Sequence, residues 1–320
     1  MCGIFGYLNL TGGQIENPER VLNSGIQLIQ HRGPDSSATW VSENKKVGLA
    51  HCRLSIIDVE NGSQPMTSGC GRFTIVFNGE IYNHAEIRLQ IGEHLFSTKS
   101  DTEVIIMGYR KWGKDIVQKL RGMFAFAIWD NVEETLFVAR DRVGIKPFYY
   151  TVVDDTFYFS SEMKGLMPVM AQVNICWNSM PEYFAYQFSV GSNTLIEGVH
   201  QIEPAYFALL KAKTNLNFVK YWDVRFDEKL DFDEDDISKK MDELLLESVE
   251  LHLTSDVEVG GYVSGGIDSS LMAATASKVT RQKEFKIFNG RFLGEKYDES
   301  KYAIELAEHH DLKPYLVDIS

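Results

Sequence analysis

The sequence has few cysteines, no long apolar run and a shortage of positive charge. Its four cysteines, Cys2, Cys52, Cys70 and Cys176, are scattered, and no pair has the two-to-four-residue spacing of a zinc knuckle, so neither a disulfide framework nor a cysteine zinc site is expected. Apolar stretches fall far short of the ~18–20 residues a membrane helix needs, and the N-terminus lacks the basic flank and apolar core of a signal peptide. A soluble, cytoplasmic protein without a membrane partner is expected. Lys and Arg number 32 against 45 Asp and Glu, a formal charge of −13, which disfavours nucleic acid as a partner. With 25 Gly and 8 Pro among 320 residues, and 44% apolar residues, a collagenous or disordered polymer is excluded. At roughly 150 residues per domain, the length predicts about two domains.

What is present divides in two. Up to about residue 160 the chain is rich in short β-branched or aromatic runs, among them Val47–Cys52, Phe73–Phe77, Phe124–Trp129, Leu136–Arg140 and Phe157–Phe159. Helical spacing appears at Val21, Leu22, Gly25, Ile26 and Ile29, and again after Asp101 at Val104, Ile105, Tyr109 and Trp112. Grouped strands with helices between the groups predict an α+β layered domain over 1–212. The stretch Asp223–Asp236 carries eight carboxylates among fourteen residues and reads as a solvated connection, placed at 213–236, that runs into a helix N-terminus. Over 237–320 a strand at Val257–Val263, a helix at Ser269–Val279, a strand at Phe285–Phe292 and a helix from Glu299 alternate as in a parallel α/β sheet.

Cys2 follows only Met1. Removing that one residue would put a thiol of pKa about 8.5 and an α-amine of pKa about 8 on the same residue, a nucleophile with its own base. The plain alternative is a buried strand cysteine. Asn78 and Gly79 end an apolar strand, where a side-chain amide and a backbone N–H can converge on a developing oxyanion; the same dipeptide also specifies a hairpin turn. Arg53 is either a carboxylate clamp or a surface ion-pair partner.

Six stretches in order decide between these readings. Met1-Cys2-Gly3-Ile4-Phe5-Gly6, His31-Arg-Gly-Pro-Asp35, Arg53-Leu-Ser-Ile-Ile57, Asn78-Gly-Glu-Ile-Tyr82, Ser100-Asp101 and Arg121-Gly-Met-Phe-Ala125 resemble the glutaminase domain of class II glutamine amidotransferases, within them the asparagine synthetase family. The resemblance implies an N-terminal-nucleophile αββα sandwich, Cys2 as nucleophile once Met1 is cleaved, and Asn78 with Gly79 as the oxyanion hole. It also implies that Arg53, Glu80 and Asp101 hold glutamine, with backbone contacts from Ile57 and Gly79 and with Asn78 counted among the glutamine-binding residues as well. The loop containing His31 is expected to support or cover the thiol rather than transfer protons. Asp141-Arg-Val-Gly-Ile-Lys-Pro147 matches the family too and reads as a structural turn, with no role assigned to Lys146.

A second constellation, Ser264-Gly265-Gly266-Ile267-Asp268-Ser269-Ser270, sits where a strand turns into a helix. Backbone N–H groups of such a loop cradle phosphate oxygens, although a plain βα turn has the same residues. Without the Gly-Lys-Ser/Thr of a Walker loop, γ-phosphoryl transfer is not indicated. The loop resembles that of ATP pyrophosphatases. By that resemblance Ser264, Gly265, Gly266 and Ser269 bind pyrophosphate oxygens and Asp268 helps hold Mg²⁺. Asp298 reads as a helix N-cap, and Glu308-His309-His310-Asp311 as an exposed helix end rather than a metal site. Phe288-Asn-Gly-Arg-Phe292 departs from the Phe-Ser-Ile-Gly-Phe-like strand of the family.

Taken together the resemblance implies a glutamine-dependent, ATP-consuming ligase. Ammonia from glutamine amidates an aspartyl-adenylate to give asparagine, AMP, pyrophosphate and glutamate. An amidotransferase for another carboxylate (a sugar acid, a peptide or a secondary metabolite) and a non-catalytic glutamine- or nucleotide-binding fragment are the alternatives. A homodimer is implied by resemblance alone. Because Ser320 precedes the second Ser-Gly-Glu signature of the synthetase domain, the chain is expected to be a fragment, with a two-strand remnant of the parallel sheet.

Overall fold

The β-rich first part of the sequence folds, in the computed structural model, into β1 (Gly3–Asn9), α1 (Pro18–Leu28), β2 (Ser36–Val41), β3 (Val47–Arg53), β4 (Met66–Thr67), β5 (Phe73–Ile81), α2 (His84–Ile91), α3 (Asp101–Trp112), α4 (Ile116–Lys119), β6 (Gly122–Asp130), β7 (Thr135–Arg140), β8 (Tyr149–Val153), β9 (Thr156–Ser160), α5 (Met180–Tyr186), β10 (Val199–Gln201), β11 (Tyr206–Leu210) and β12 (Phe218–Lys220). The structure describes residues 1–226, 232–292, 294 and 298–319. Two compact units result, Met1–Arg225 and Phe226–Ser320.

Among the described residues the first unit holds two six-stranded sheets, ordered β10-β8-β9-β1-β3-β2 and β12-β11-β7-β6-β5-β4. Period-2 alternation assigns each strand residue to a layer. Ile4, Leu8 and Leu49 of the first sheet meet Val76, Ala127, Trp129 and Val138 of the second in one buried core. Their neighbours Phe5, Tyr7 and Ala50 face the other way, onto Leu22 and Ile26 of α1. Ile75, Phe77, Phe126 and Ile128 pack outward on Val104, Ile105 and Ile106 of α3 and on Ile116 and Val117 of α4. The result is the expected αββα sandwich. Each fully buried Leu, Ile or Phe in these layers contributes roughly 1.5–3 kcal/mol of transfer free energy.

The 213–236 connection is only partly a linker. Residues 218–220 form β12, an edge strand on β11, while residues 227–231 of the acidic stretch lie outside the described residues. The second unit contains α6 (Glu234–His252), β13 (Gly260–Tyr262), α7 (Ile267–Val279), β14 (Lys286–Arg291), α8 (Ser300–His309) and β15 (Lys313–Asp318). Its sheet is parallel, in the order β13-β14-β15. Ala273 and Ala276 of α7 and Ala303 and Ala307 of α8 bury their small side chains against Val263, Phe285 and Ile287. The sheet has three described strands rather than the expected two. β15 contains Pro314, which argues against a strand in sequence but is tolerated here because β15 is at the sheet edge. No helix among the described residues is long and apolar enough to cross a membrane.

Candidate active site

The N-terminus is held by the first sheet. Gly3 pairs with Cys52 of β3, and a Cβ at Gly3 would lie 2.6 Å from the Cys52 sulfur, so only glycine lets the chain end run this close to β3. Cys2 therefore projects from the end of β1 toward the residues that follow β3. Its Sγ accepts from the Leu54 amide at 3.4 Å and faces the Leu54 carbonyl oxygen at 3.6 Å. Burial pushes the Cys2 thiol up, against the opposing effects of the Leu54 N–H, the chain-terminal ammonium and Arg53. Burial pushes the terminal amine of Met1 down, and the cations Arg32 and Lys146 act in the same direction.

The oxyanion candidates come from β5. Its Phe77 amide donates to Gln64 Oε1 at 2.6 Å, and its Ile81 amide donates to Asp101 Oδ2 at 3.0 Å. Strand alternation directs the intervening Gly79 N–H to that same edge, beyond the point where β4 pairs with Thr74 and Ile75. A side chain at residue 79 would collide with the Met123 carbonyl oxygen of β6, which explains the glycine. Asn78, 1% exposed, has a buried Nδ2 without a hydrogen-bond partner among the described residues. A buried amide donor left unpaired costs about 1–3 kcal/mol, and it is the group an incoming anionic oxygen would satisfy. The Asn-Gly pair lies within a continuous strand, so the hairpin-turn alternative is overturned.

Arg53 closes β3. Its guanidinium donates to the carbonyl oxygens of Val59 at 2.9 Å, Ile57 at 3.2 Å and Asp58 at 2.7 Å, leaving two of its five N–H donors for a ligand. It is buried, which removes the surface ion-pair reading. Asp101 begins α3, where the Ser100 hydroxyl caps the helix by accepting from the Thr102 amide at 3.2 Å. Burial, reinforced by the charge of Glu80, pushes the Asp101 carboxyl up to about 7 against the Ile81 N–H. Cys2, Arg53, Ile57, Asn78, Gly79, Glu80 and Asp101 line one cavity of about 120 Å³. That is well below the ~300–1,000 Å³ of drug-sized sites and suits a small polar metabolite.

Three contributors escaped the sequence reading. Arg32 Nε donates to the Cys2 carbonyl oxygen at 2.9 Å, and its Nη1 donates to Glu162 at 3.0 Å; His31 also pairs with Glu162, in an exposed position. His51 Nε2 lies 3.1 Å from the Phe77 carbonyl oxygen and ties β3 to β5 one residue before Asn78. Lys146 lines the cavity, so the turn after Arg140 is part of the site wall. For Arg32 and Lys146 the signal was present, as the unassigned cations of two matched motifs.

In the second unit the loop between β13 and α7 is held by its own hydroxyls. Ser264 Oγ and Ser269 Oγ are 3.0 Å apart, the Gly266 amide donates to Ser264 Oγ at 3.3 Å, and Gly265 adopts φ +100°. Asp268 is exposed in the first turn of α7. The adjoining cavity, about 310 Å³, takes in Ser264 but not Gly265, Gly266, Asp268 or Ser269. In the departing strand, Asn289 donates through Nδ2 to the Val263 carbonyl oxygen at 2.7 Å, fastening β14 to the end of β13. Asp298 Oδ1 accepts from the Ser300 amide at 3.0 Å, but the N-cap position of α8 is Glu299, so Asp298 sits one residue ahead of the expected cap. Among the described residues no group of three His, Cys, Asp or Glu side chains is placed to hold a metal ion.

Residues 1–222 match the family model of the glutamine amidotransferase domain. The chain belongs to that family. Residues 240–320 of the chain match a second model, asparagine synthase. Its relatives include asparagine synthetase [glutamine-hydrolyzing] 1 of Bacillus subtilis, 38% identical over 96% of this chain and 48% of the relative. Another is amidase chry2 of Gibberella zeae, 35% identical over 88% of this chain and 44% of the relative. The chain thus spans about half the length of the curated relatives it matches. Two solved structures share the fold: the allosteric regulatory enzyme of purine biosynthesis (14% identical, TM-score 0.54, 99% of this chain and 80% of that one) and the glutamine phosphoribosylpyrophosphate amidotransferase of B. subtilis complexed with ADP and GMP (15% identical, TM-score 0.51, 99% and 81%).

Proposed function

We propose that this chain carries the glutamine-hydrolysing centre and the pyrophosphate loop of a glutamine-dependent asparagine synthetase. The observation that carries the reading is the Asn78 Nδ2, unpartnered among the described residues and buried in the same cavity as the Cys2 thiol. After removal of Met1, the α-amine of Cys2 takes the thiol proton and the sulfur adds to the carboxamide carbon of glutamine. Asn78 Nδ2 and the Gly79 N–H stabilise the oxyanion. Collapse transfers the proton to the departing nitrogen, releasing ammonia and leaving a γ-glutamyl thioester that water hydrolyses to glutamate. Arg53 takes the α-carboxylate of glutamine, and Glu80 and Asp101 take its α-ammonium, with backbone contacts from Ile57 and Gly79.

In the second unit, Ser264, Gly265, Gly266 and Ser269 would hold the pyrophosphate of ATP, and Asp268 is the loop carboxylate available to an accompanying Mg²⁺. Mg²⁺ uses few protein ligands, so the want of an acidic cluster among the described residues is compatible with it. The ammonia then amidates an aspartyl-adenylate. The Asn289-Gly-Arg departure and the similarity to an amidase favour screening other carboxylates as acceptors as well. Size measurement in solution tests the homodimer that the family resemblance suggests.

The direct test is glutamate release from glutamine by the processed chain, with Cys2→Ala as control. Hydrolysis lost in Cys2→Ala supports the reading; a wild-type chain that binds glutamine without turnover reduces it to a binding module. Persistence of Met1 in fully active protein overturns the amine's role.

A further inference from the structure

Among the described residues, Lys146 is a buried cation with no anion bonded to it. It is 4% exposed, and among the described residues the hydrogen-bond partner of its Nζ is the thioether sulfur of Met1 at 3.3 Å. A thioether is a weak acceptor, and an ammonium buried without a proper partner is unfavourable. Its position is nonetheless built. The Asp141 carboxylate accepts from the amides of Val143 at 3.2 Å, Ile145 at 2.9 Å and Lys146 at 2.9 Å, and Arg140 Nε donates to the Lys146 carbonyl oxygen at 2.8 Å. This turn points the side chain at the N-terminus, where Lys146 lines the cavity beside Met1 and Cys2.

The charges facing the terminus come from every element around it. Arg32 follows α1, Cys52 and Arg53 lie on β3, Glu80 on β5 and Asp101 at the start of α3. Arg32 is already matched by Glu162 and by the Cys2 carbonyl. Among the described residues Lys146 has no carboxylate bonded to it, although the charges of Glu80 and Asp141 act on it, and loss of Met1 takes away its thioether contact.

We propose that Lys146 is a positioning residue for glutamine hydrolysis, its ammonium holding the α-amine of the processed N-terminus in the neutral form that accepts the Cys2 thiol proton. This rests on the glutaminase reading above. An ordinary α-amine, of pKa about 8, is mostly protonated at neutral pH and cannot serve as a base in that form. A neighbouring positive charge disfavours a second one, and Lys146 and Cys2 line the same small cavity.

The test separates this role from turnover. In a Cys2→Ala background, which removes the competing sulfur, competitive acetylation with acetic anhydride across pH, read on the N-terminal peptide by mass spectrometry, gives the titration midpoint of the amine. Intact mass selects the chains that have lost Met1. Lys146→Met is expected to raise the midpoint by ~0.5 pH unit or more, the order of effect of one unit charge within the same small cavity. Lys146→Arg is expected to leave it in place. With Cys2 intact, the acid limb of kcat/KM for glutamine should move upward by the same amount in Lys146→Met, while Tm holds or rises because an apolar chain replaces a buried ammonium. Equal midpoints in the three chains, or a Tm loss without any shift, overturn the proposal and leave Lys146 a packing residue. The amine titration needs no turnover, so a wild-type chain that fails to hydrolyse glutamine counts against the glutaminase reading alone.

Discussion

Arg32 grips the backbone of Cys2 rather than its sulfur: Nε donates to the Cys2 carbonyl oxygen at 2.9 Å while Nη1 is held by Glu162 at 3.0 Å. The nucleophile's main chain is thus fixed by a side chain that is itself fixed, and the sulfur remains free to change partners during reaction. Asp35 extends the support, accepting from the Ser55 amide at 2.7 Å. The His31 loop therefore braces both the chain end and the segment after β3.

Arg32→Ala should lower kcat/KM for glutamine by about tenfold or more and cost about 1–3 kcal/mol of stability, since a charge-assisted bond to a partly buried carbonyl is lost. Glu162→Gln, which keeps an acceptor for Nη1, should be milder. Steady-state kinetics beside denaturant melts check this; a wild-type rate in Arg32→Ala removes the bracing role.

Asn78→Ala should reduce kcat by roughly 10²–10³ with KM for glutamine changed by no more than about threefold, because the amide acts on the oxyanion and not on the bound substrate. The variant should fold at least as stably, for its buried Nδ2 has no partner to lose. A rise in KM at constant kcat would instead make Asn78 a substrate-binding residue.

Asp101 has a carboxyl raised to about 7 by burial, so the folded state holds its proton more tightly than the unfolded chain does. Its ionisation therefore opposes folding increasingly as pH rises from the unfolded value near 4 to about 7, and the penalty is constant above that. Asp101→Asn should stabilise the protein at pH 8, by on the order of 1–4 kcal/mol, and change it little at pH 4. The same substitution should raise KM for glutamine, whose ammonium loses its carboxylate. Melts at the two pH values and glutamine titrations decide; equal stability differences at both pH values contradict the assignment.

Gly265→Ala places a side chain at φ +100°, with its Cβ 2.9 Å from the Glu299 carbonyl oxygen. Distortion of the loop should abolish ATP binding, measured by calorimetry, and leave glutamate release from glutamine untouched. Loss of both would mean that the substitution unfolds more than the loop.

His51 shows where sequence reading stops. Burial pushes its pKa down to about 3, helped by the Arg53 charge and opposed by the contact with the Phe77 carbonyl oxygen, so it is neutral and structural. Nothing in the run Val47–Cys52 distinguishes it from a strand residue facing solvent. Gln64 is similar: its amide replaces the missing β4 partner at Phe77, a function set by a loop whose path the sequence does not specify.

The sequence by itself determined the layers, because alternating apolar residues in β1, β5 and β6 have only one burial pattern that leaves no strand face wet, and it determined the reactive residue types through their ordered motifs. The tertiary structure alone decided which cations reach the N-terminus. Glu162 and Lys146 lie more than a hundred residues along the chain from Arg32, and bringing all three beside Cys2 depends on how β1, β3 and β9 pair and on the Asp141 turn. Electrostatics and hydrogen bonding act over a few ångströms of space, a distance that spacing along the chain does not record.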